Sequence, residues 1–251
     1  MIKISVVYIM WLRQIKRYWR SKSRIIGSIG QPLLFLVSLG FGMGSMYKST
    51  QGGSYIDFLA PGVMAQAILF MAIFNGVELI WDRQFGFLKE TLAAPVSRLE
   101  IVMGRVLGGA TISLIQGSIV FILTLFLGFR PINWLLMPIA ALIMFLIALL
   151  YSALGTGIAS LLKDFHGFQL IMNFLVMPTY FLSGALFPIA ESPEVLQLIS
   201  RFNPLTYGVD ALREIMLGSS YIGLSFDFLV LDLVTGFLLI LSSYFFTKIE
   251  V

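Results

Sequence analysis

Val106-Leu107-Gly108-Gly109-Ala110-Thr111-Ile112-Ser113-Leu114-Ile115-Gln116-Gly117-Ser118-Ile119-Val120-Phe121-Ile122-Leu123-Thr124-Leu125-Phe126-Leu127-Gly128-Phe129 runs for 24 residues between Arg105 and Arg130 without a charge. A bilayer core is about 30 Å thick, and a helix crosses it with about 20 apolar residues. The pattern recurs along the chain. Arg24 and Lys48 enclose 23 uncharged residues, Asp57 and Glu78 enclose 20, and Arg130 and Lys163 enclose 32. His166 and Glu191 enclose 24, and the 20 residues between Asp227 and Lys248 hold a single acid, Asp232. Barrel strands would be shorter and would alternate. The expectation is an all-α integral membrane protein with six transmembrane helices, near 25–46, 58–79, 106–127, 134–162, 167–187 and 228–247. The 32-residue run exceeds one crossing, so its helix is expected to continue past the membrane and to bend near Gly155 and Gly157.

Composition agrees. Of 251 residues, 58% are hydrophobic and 12% charged, with a mean hydropathy of +0.92. Soluble domains carry about 25% charged residues, so disorder, a coiled coil and an ordinary cytosolic enzyme are excluded. With no cysteine, disulfides, thiolate metal sites and thiol nucleophiles are excluded too. Placing both termini in the cytoplasm leaves Lys48, Arg130, Arg201 and Arg213 outside and the remaining 13 of the 17 Lys and Arg inside, as the positive-inside rule requires.

Residues 1–24 do not resemble a secretory signal, because the basic part is long and no cleavage site of small residues follows. Ile4, Val7, Tyr8, Trp11, Leu12, Ile15 and Tyr18 fall on one helical stripe, with Lys3, Arg13, Lys16, Arg17 and Arg20 around it. That pattern predicts an amphipathic helix lying in the inner headgroup layer.

Chemistry-bearing residues are sparse. No phosphate-binding loop of the form G-x-x-x-x-G-K-[ST] occurs. His166, the single histidine, reads as a solvated loop residue, since one His with one Asp is too few ligands for a metal. Glu78 sits one turn before Asp82 at the inner end of the second span, where snorkelling toward water is expected. Asp232 falls about 7 Å inside the outer boundary at 1.5 Å per residue. Ionisable groups within spans are candidates for function, so Asn75, Glu78, Asn173 and Asp232 are the positions expected to line a path. Gly40, Gly42 and Gly44, and Gly104 with Gly108, have the spacing of close helix contacts.

Two segments outside the spans carry more information. In the inner one, from Asp82 to Met103, Phe87, Leu88, Thr91 and Leu92 recur at helical spacing and Pro95 stops the helix. Ser97 with Glu100 three residues on is a capping box that starts the next helix. A short helix with exposed Phe and Leu under the membrane asks for a partner. In the outer segment, from Pro188 to Asp227, Ser192 and Pro193 are expected to open a helix bearing Val195, Leu196, Ile199 and Phe202. Asn203-Pro204 breaks it, Thr206 caps another with Tyr207, Ala211, Leu212 and Ile215 on one side, and Gly218 closes that. These helices dip into the bilayer, lid a pathway, or brace the outer ends of the last two spans. Outer acids outnumber the four outer bases, a balance that favours cationic cargo on the exit side.

The inner stretch from Asp82-Arg83-Gln84-Phe85-Gly86-Phe87-Leu88-Lys89-Glu90 through Ala94-Pro95-Val96-Ser97-Arg98, with Gly104-Arg105 beyond, resembles the daunorubicin-resistance-type permeases. These are membrane subunits of ATP-binding-cassette type-2 exporters. Leu182-Ser183-Gly184 to Phe187-Pro188, then Asn203-Pro204-Leu205-Thr206-Tyr207 and Arg213, resembles a second block of that family. The resemblance covers nearly the whole chain and implies a non-catalytic permease, with ATP and Mg bound by a separate cytosolic ATPase and no cofactor on this chain. It further implies a homodimer or paralogue heterodimer, an interfacial N-terminal helix, a cytosolic coupling helix, and re-entrant helices before the last span. The localisation implied is a bacterial or archaeal plasma membrane. Coupling would then rest on Phe87, Leu88, Lys89, Glu90, Leu92, Pro95 and Arg98, with Phe87, Leu88 and Leu92 in a cleft of the ATPase and Glu90 and Arg98 at its rim. Asn203, Pro204, Tyr207 and Arg213 would form the outer re-entrant gate. Membrane lipid is an expected partner and nucleic acid is not. The expected function is export of a drug-like or lipid-like amphiphile. The rivals are an ion-coupled secondary transporter, a glycolipid or polysaccharide exporter, and a membrane-embedded enzyme or assembly factor.

Overall fold

The computed structural model describes residues 3–42, 44, 54–162 and 164–249. Lys48, Lys163 and the end of the first expected span lie outside the described residues. Among the described residues all regular structure is helical. Five helices are long and apolar enough to cross a membrane: Lys22–Gly42, Tyr55–Gln84, Arg98–Phe126, Trp134–Leu161 and Leu224–Thr247.

α1 (Ile4–Arg20) ends with Arg17 and Arg20 in its last turn, where cations complement the helix dipole. The chain breaks at Ser21 and re-enters helix as α2 (Lys22–Gly42). The first span therefore starts three residues earlier than its charges suggested, because Arg24 is drawn inside. α1 is two-sided. Met10, Gln14 and Tyr18 are buried, whereas Ile4 and Tyr8 of the expected stripe stay exposed. The buried side packs on α6 (Arg98–Phe126), and glycine permits it. A Cβ at Gly104 would stand 2.5 Å from the Cβ of Met10, and one at Gly108 2.7 Å from that of Gln14. The glycine pair expected to serve close helix contacts is thus consumed within the chain.

α3 (Tyr55–Phe74) opens on a Ser54–Asp57 capping box. It continues after a turn at Asn75-Gly76 as α4 (Val77–Gln84). α7 (Met137–Leu161) is helical through Gly155 and Gly157. Gly155 lets Ile73 and Gly76 of the second span approach its backbone.

The expected span 167–187 is shorter and irregular. α8 (Phe165–Ile171), a π segment Met172–Val176 and α9 (Met177–Phe181) form one interrupted helical run. It starts at Asp164, whose carboxylate accepts from Gly167 N at 2.8 Å. Leu182 to Phe187, assigned to the span from hydropathy, is turn and loop.

Next in the chain follow α10 (Glu194–Arg201) and α11 (Pro204–Leu217). Two expected caps move. Ser192 donates its hydroxyl to Pro188 O instead of capping α10. Asn203, not Thr206, caps α11, accepting from Leu205 N at 3.0 Å, with Pro204 at the first position. Gly218 closes α11 at φ +67 as expected. Most of α11 is buried, among α3, α7 and the last span, α12 (Leu224–Thr247).

Candidate functional site at the inner end

Charged side chains of α1, α2, the second span and α6 meet at one end of the bundle. α5 (Phe87–Ala93) follows α4 through Gly86 at φ +81, a left-handed turn that glycine adopts without penalty. It ends before Pro95, as its sequence requires. α6 then begins with the expected capping box, since Glu100 N donates to Ser97 Oγ and Ser97 N to Glu100 Oε2. Glu100 also accepts from Lys3 N at 2.7 Å, which ties the start of α1 to the start of α6.

Above this lies an ion-pair network. Asp82 is 1% exposed and accepts from the buried Arg105, from Arg13 at 3.2 Å and from Arg17 at 3.1 Å. Glu78, 2% exposed, pairs with Arg24 and lies 3.7 Å from Arg17. Arg24 also donates to Asn75 Oδ1, while Asn75 Nδ2 donates to Gly109 O at 3.2 Å. Glu78 and Asp82 do not snorkel. Burial in low dielectric would be costly for either alone, and the guanidinium partners offset that cost. Arg13 reaches Thr91 of α5 at 3.5 Å, so α5 is tied to the charged junction that α1, α2, the second span and α6 form.

The residues named from the sequence divide on α5. Leu88 is fully buried in this chain's own core, so it is not free to fill a partner's cleft. Leu92 packs against the same core. Phe85 is 73% exposed and Phe87 50%. Lys89, Glu90 and Pro95 are exposed beside them. Arg98 donates to Phe246 O, Thr247 O and Ile249 O. It therefore holds the carbonyl end of α12 rather than a rim.

Of the four expected path residues, Asn75 and Glu78 come together in the network. Asn173 in the π segment and Asp232 on α12 are exposed on separate outer faces of the helix bundle. The outer block is a joint. Arg213 donates to Gly184 O at 2.7 Å, Ala185 O at 3.3 Å and Phe58 O at 3.4 Å, and lies 3.8 Å from the Phe58 ring centroid. Asn203 donates to Thr179 O and Tyr207 to Arg201 O, both at 2.6 Å. The bracing alternative therefore describes the geometry of α11.

Sequence reasoning missed Arg13, Arg17, Arg24 and Arg105 as partners of the two acids. A signal was present. Arg13 with Arg17 and Glu78 with Asp82 share the spacing of four that places side chains on one helix face.

Five helices long and apolar enough to cross a membrane, with α1 packed on α6 and α11 buried among α3, α7 and α12, describe a multi-pass membrane protein. Residues 5–217 match the ABC-2 type transporter family, and the chain belongs to it. It is similar to nodulation protein J of Rhizobium leguminosarum bv. trifolii, 30% identical over 213 residues, which cover 84% of this chain and 78% of that one. It is also similar to the putative transport permease ycf38 of Pyropia yezoensis, 34% identical over 212 residues, 80% of this chain and 70% of that one. With ycf38 of Porphyra purpurea the identity is 32% over 200 residues, 78% and 69% of the respective chains.

Proposed function

We propose that this chain is the non-catalytic permease subunit of an ATP-driven exporter that moves a drug-like or lipid-like amphiphile outward across a bacterial or archaeal plasma membrane. ATP and Mg are bound by a cytosolic ATPase on a separate chain, and two permeases, identical or paralogous, form the transmembrane unit with their termini inside. The observation that carries this reading is α5. Leu88 anchors it to the core while Phe85 and Phe87 stand exposed beside Lys89 and Glu90. Exposed aromatic rings on a clamped helix have the character of interface anchors, which commonly cost 2 kcal/mol or more on truncation. A push on α5 passes through Arg13 and Thr91 to α1, and through Asp82 and Arg105 to the second span and α6.

The test is co-purification with an ATP-binding-cassette ATPase, any such chain encoded next to this one being the first to try. Phe87→Ala is expected to abolish association and transport while leaving membrane insertion intact. Glu90→Arg is expected to impair coupling and to be rescued by a charge reversal on the partner. Normal association and transport in Phe87→Ala would reduce the loop to a topology signal. Leu88→Ala does not serve, because it would open a void in the chain's own core.

A further inference from the structure

A cleft of about 540 Å³ opens between α2 and the second span, with Phe70, Phe74 and Met172 among its apolar walls. That volume is within the range of small-molecule sites. Arg17, Arg24 and Glu78 stand at one end and Gln66 lines it farther along the second span. Two observations bear on what fills it. First, the junction backing the cleft holds four guanidinium groups, Arg13, Arg17, Arg24 and Arg105, against two carboxylates, Glu78 and Asp82. Positive charge is in excess, and the two arginines facing the cleft are 38% and 17% exposed for Arg17 and Arg24. Second, Gln66 is 1% exposed with neither its amide nitrogen nor its oxygen hydrogen-bonded. A buried amide left without partners is costly, and a ligand group that meets it relieves that cost. Twelve residues separate it from Glu78, about 18 Å along a helix.

We infer that this cleft binds an amphiphile with an acidic headgroup, a phosphate or carboxylate, set against Arg17 and Arg24, and with a hydrogen-bonding group farther along its length that meets Gln66. An anion at Arg17 neutralises the excess charge, whereas a cation there meets like charge. Of the outer acids that would favour cationic cargo, three are occupied or buried, and the exposed Glu191 and Glu194 do not line the cleft. Asp57 accepts from Ser54 N, Asp210 accepts from Ser220, Tyr221 and Ile222, and Asp227 is fully buried. The cleft thus selects against the cations that outer composition alone would suggest. This inference rests on the exporter reading only for the direction of movement. Binding is measured without nucleotide or ATPase, so failure of the one leaves the test of the other standing.

The experiment uses the full chain in phosphatidylcholine nanodiscs and three dansyl-labelled probes: dodecyl phosphate, the same phosphate with an amide within its chain, and dodecyltrimethylammonium. The phosphate probe is expected to bind at least tenfold more tightly than the ammonium probe, with that ratio shrinking severalfold in Arg17→Gln. The amide-bearing phosphate is expected to bind more tightly than the plain one, and to lose that advantage in Gln66→Leu. Displacement of probe when phosphatidylglycerol is added would make a resident lipid the source of the headgroup. Retention would make it cargo. Equal or tighter binding of the ammonium probe to the native chain overturns the inference whatever the variants do.

Discussion

The inner and outer ends of this chain both hang on a buried arginine, and the two use it differently. At the inner end Arg105 meets a carboxylate, Asp82, that two further arginines share. At the outer end Arg213 meets backbone carbonyls of the loop before α10 and of α3, and covers the Phe58 ring. A carboxylate shared among several guanidiniums is responsive, because charge added nearby redistributes the pairs. Carbonyls in a loop offer no such alternative. Exposure follows the same division, with α5 presenting Phe85 and Phe87 while α11 is mostly buried. One end is held by ion pairs that can exchange partners and the other by fixed carbonyl contacts.

Four substitutions break or sharpen that contrast. Asp82→Ala strands Arg105 in a buried site without its carboxylate, and loss of one partner of a buried pair costs about 3–5 kcal/mol. Unfolding in mixed micelles should show it as the largest destabilisation of the four. Arg213→Ala removes one charged donor group, for which about 1.5–3 kcal/mol in total is expected. A cost equal to that of Asp82→Ala would erase the distinction between the ends. Asp227→Asn should move stability the other way. Asp227 is fully buried, with no donor to either oxygen and with Asp210 and Glu214 as charged neighbours. A neutral amide there carries no charge into the low-dielectric site beside those two acids and is expected to raise stability. A higher midpoint of thermal unfolding is the readout. The smallest effect belongs to Phe87→Ala, within about 0.5 kcal/mol as for other surface changes, although its consequence for ATPase association is expected to be severe. A large loss of stability there would mean that α5 packs on its own chain through Phe87 as well as Leu88.

How legible each region was follows from the range of the interactions that decide it. Ser97 with Glu100, Pro95 and Gly218 act within one turn of helix, and each took the expected role. Ser192 and Thr206 were equally local as motifs. They lost their caps because Pro188 O claimed one hydroxyl and Asn203, directly before Pro204, took the start of α11. Hydropathy assigned Leu182 to Phe187 to a span, since an apolar loop covered by neighbours has the composition of a helix. Polar residues were hardest to read. Asp232 and Asn173 drew notice for standing in apolar runs, yet their helices turn them away from the bundle. Asp82 and Gln66 are buried inside it.

The sequence by itself determined that the chain is a helical membrane protein and that the loop after its second span carries a short helix. Charge spacing, capping and the length needed to cross a bilayer are local quantities, and local quantities can be read along a line. Only the tertiary structure decided that Leu88 faces inward and Phe87 outward, that Gly104 and Gly108 seat α1, and that four arginines gather around two acids. Arg13 and Asp82 are 69 residues apart in the chain. Helix spacing states which residues share a face, but which face meets which neighbour depends on how the helices pack, and no periodicity along one helix records that.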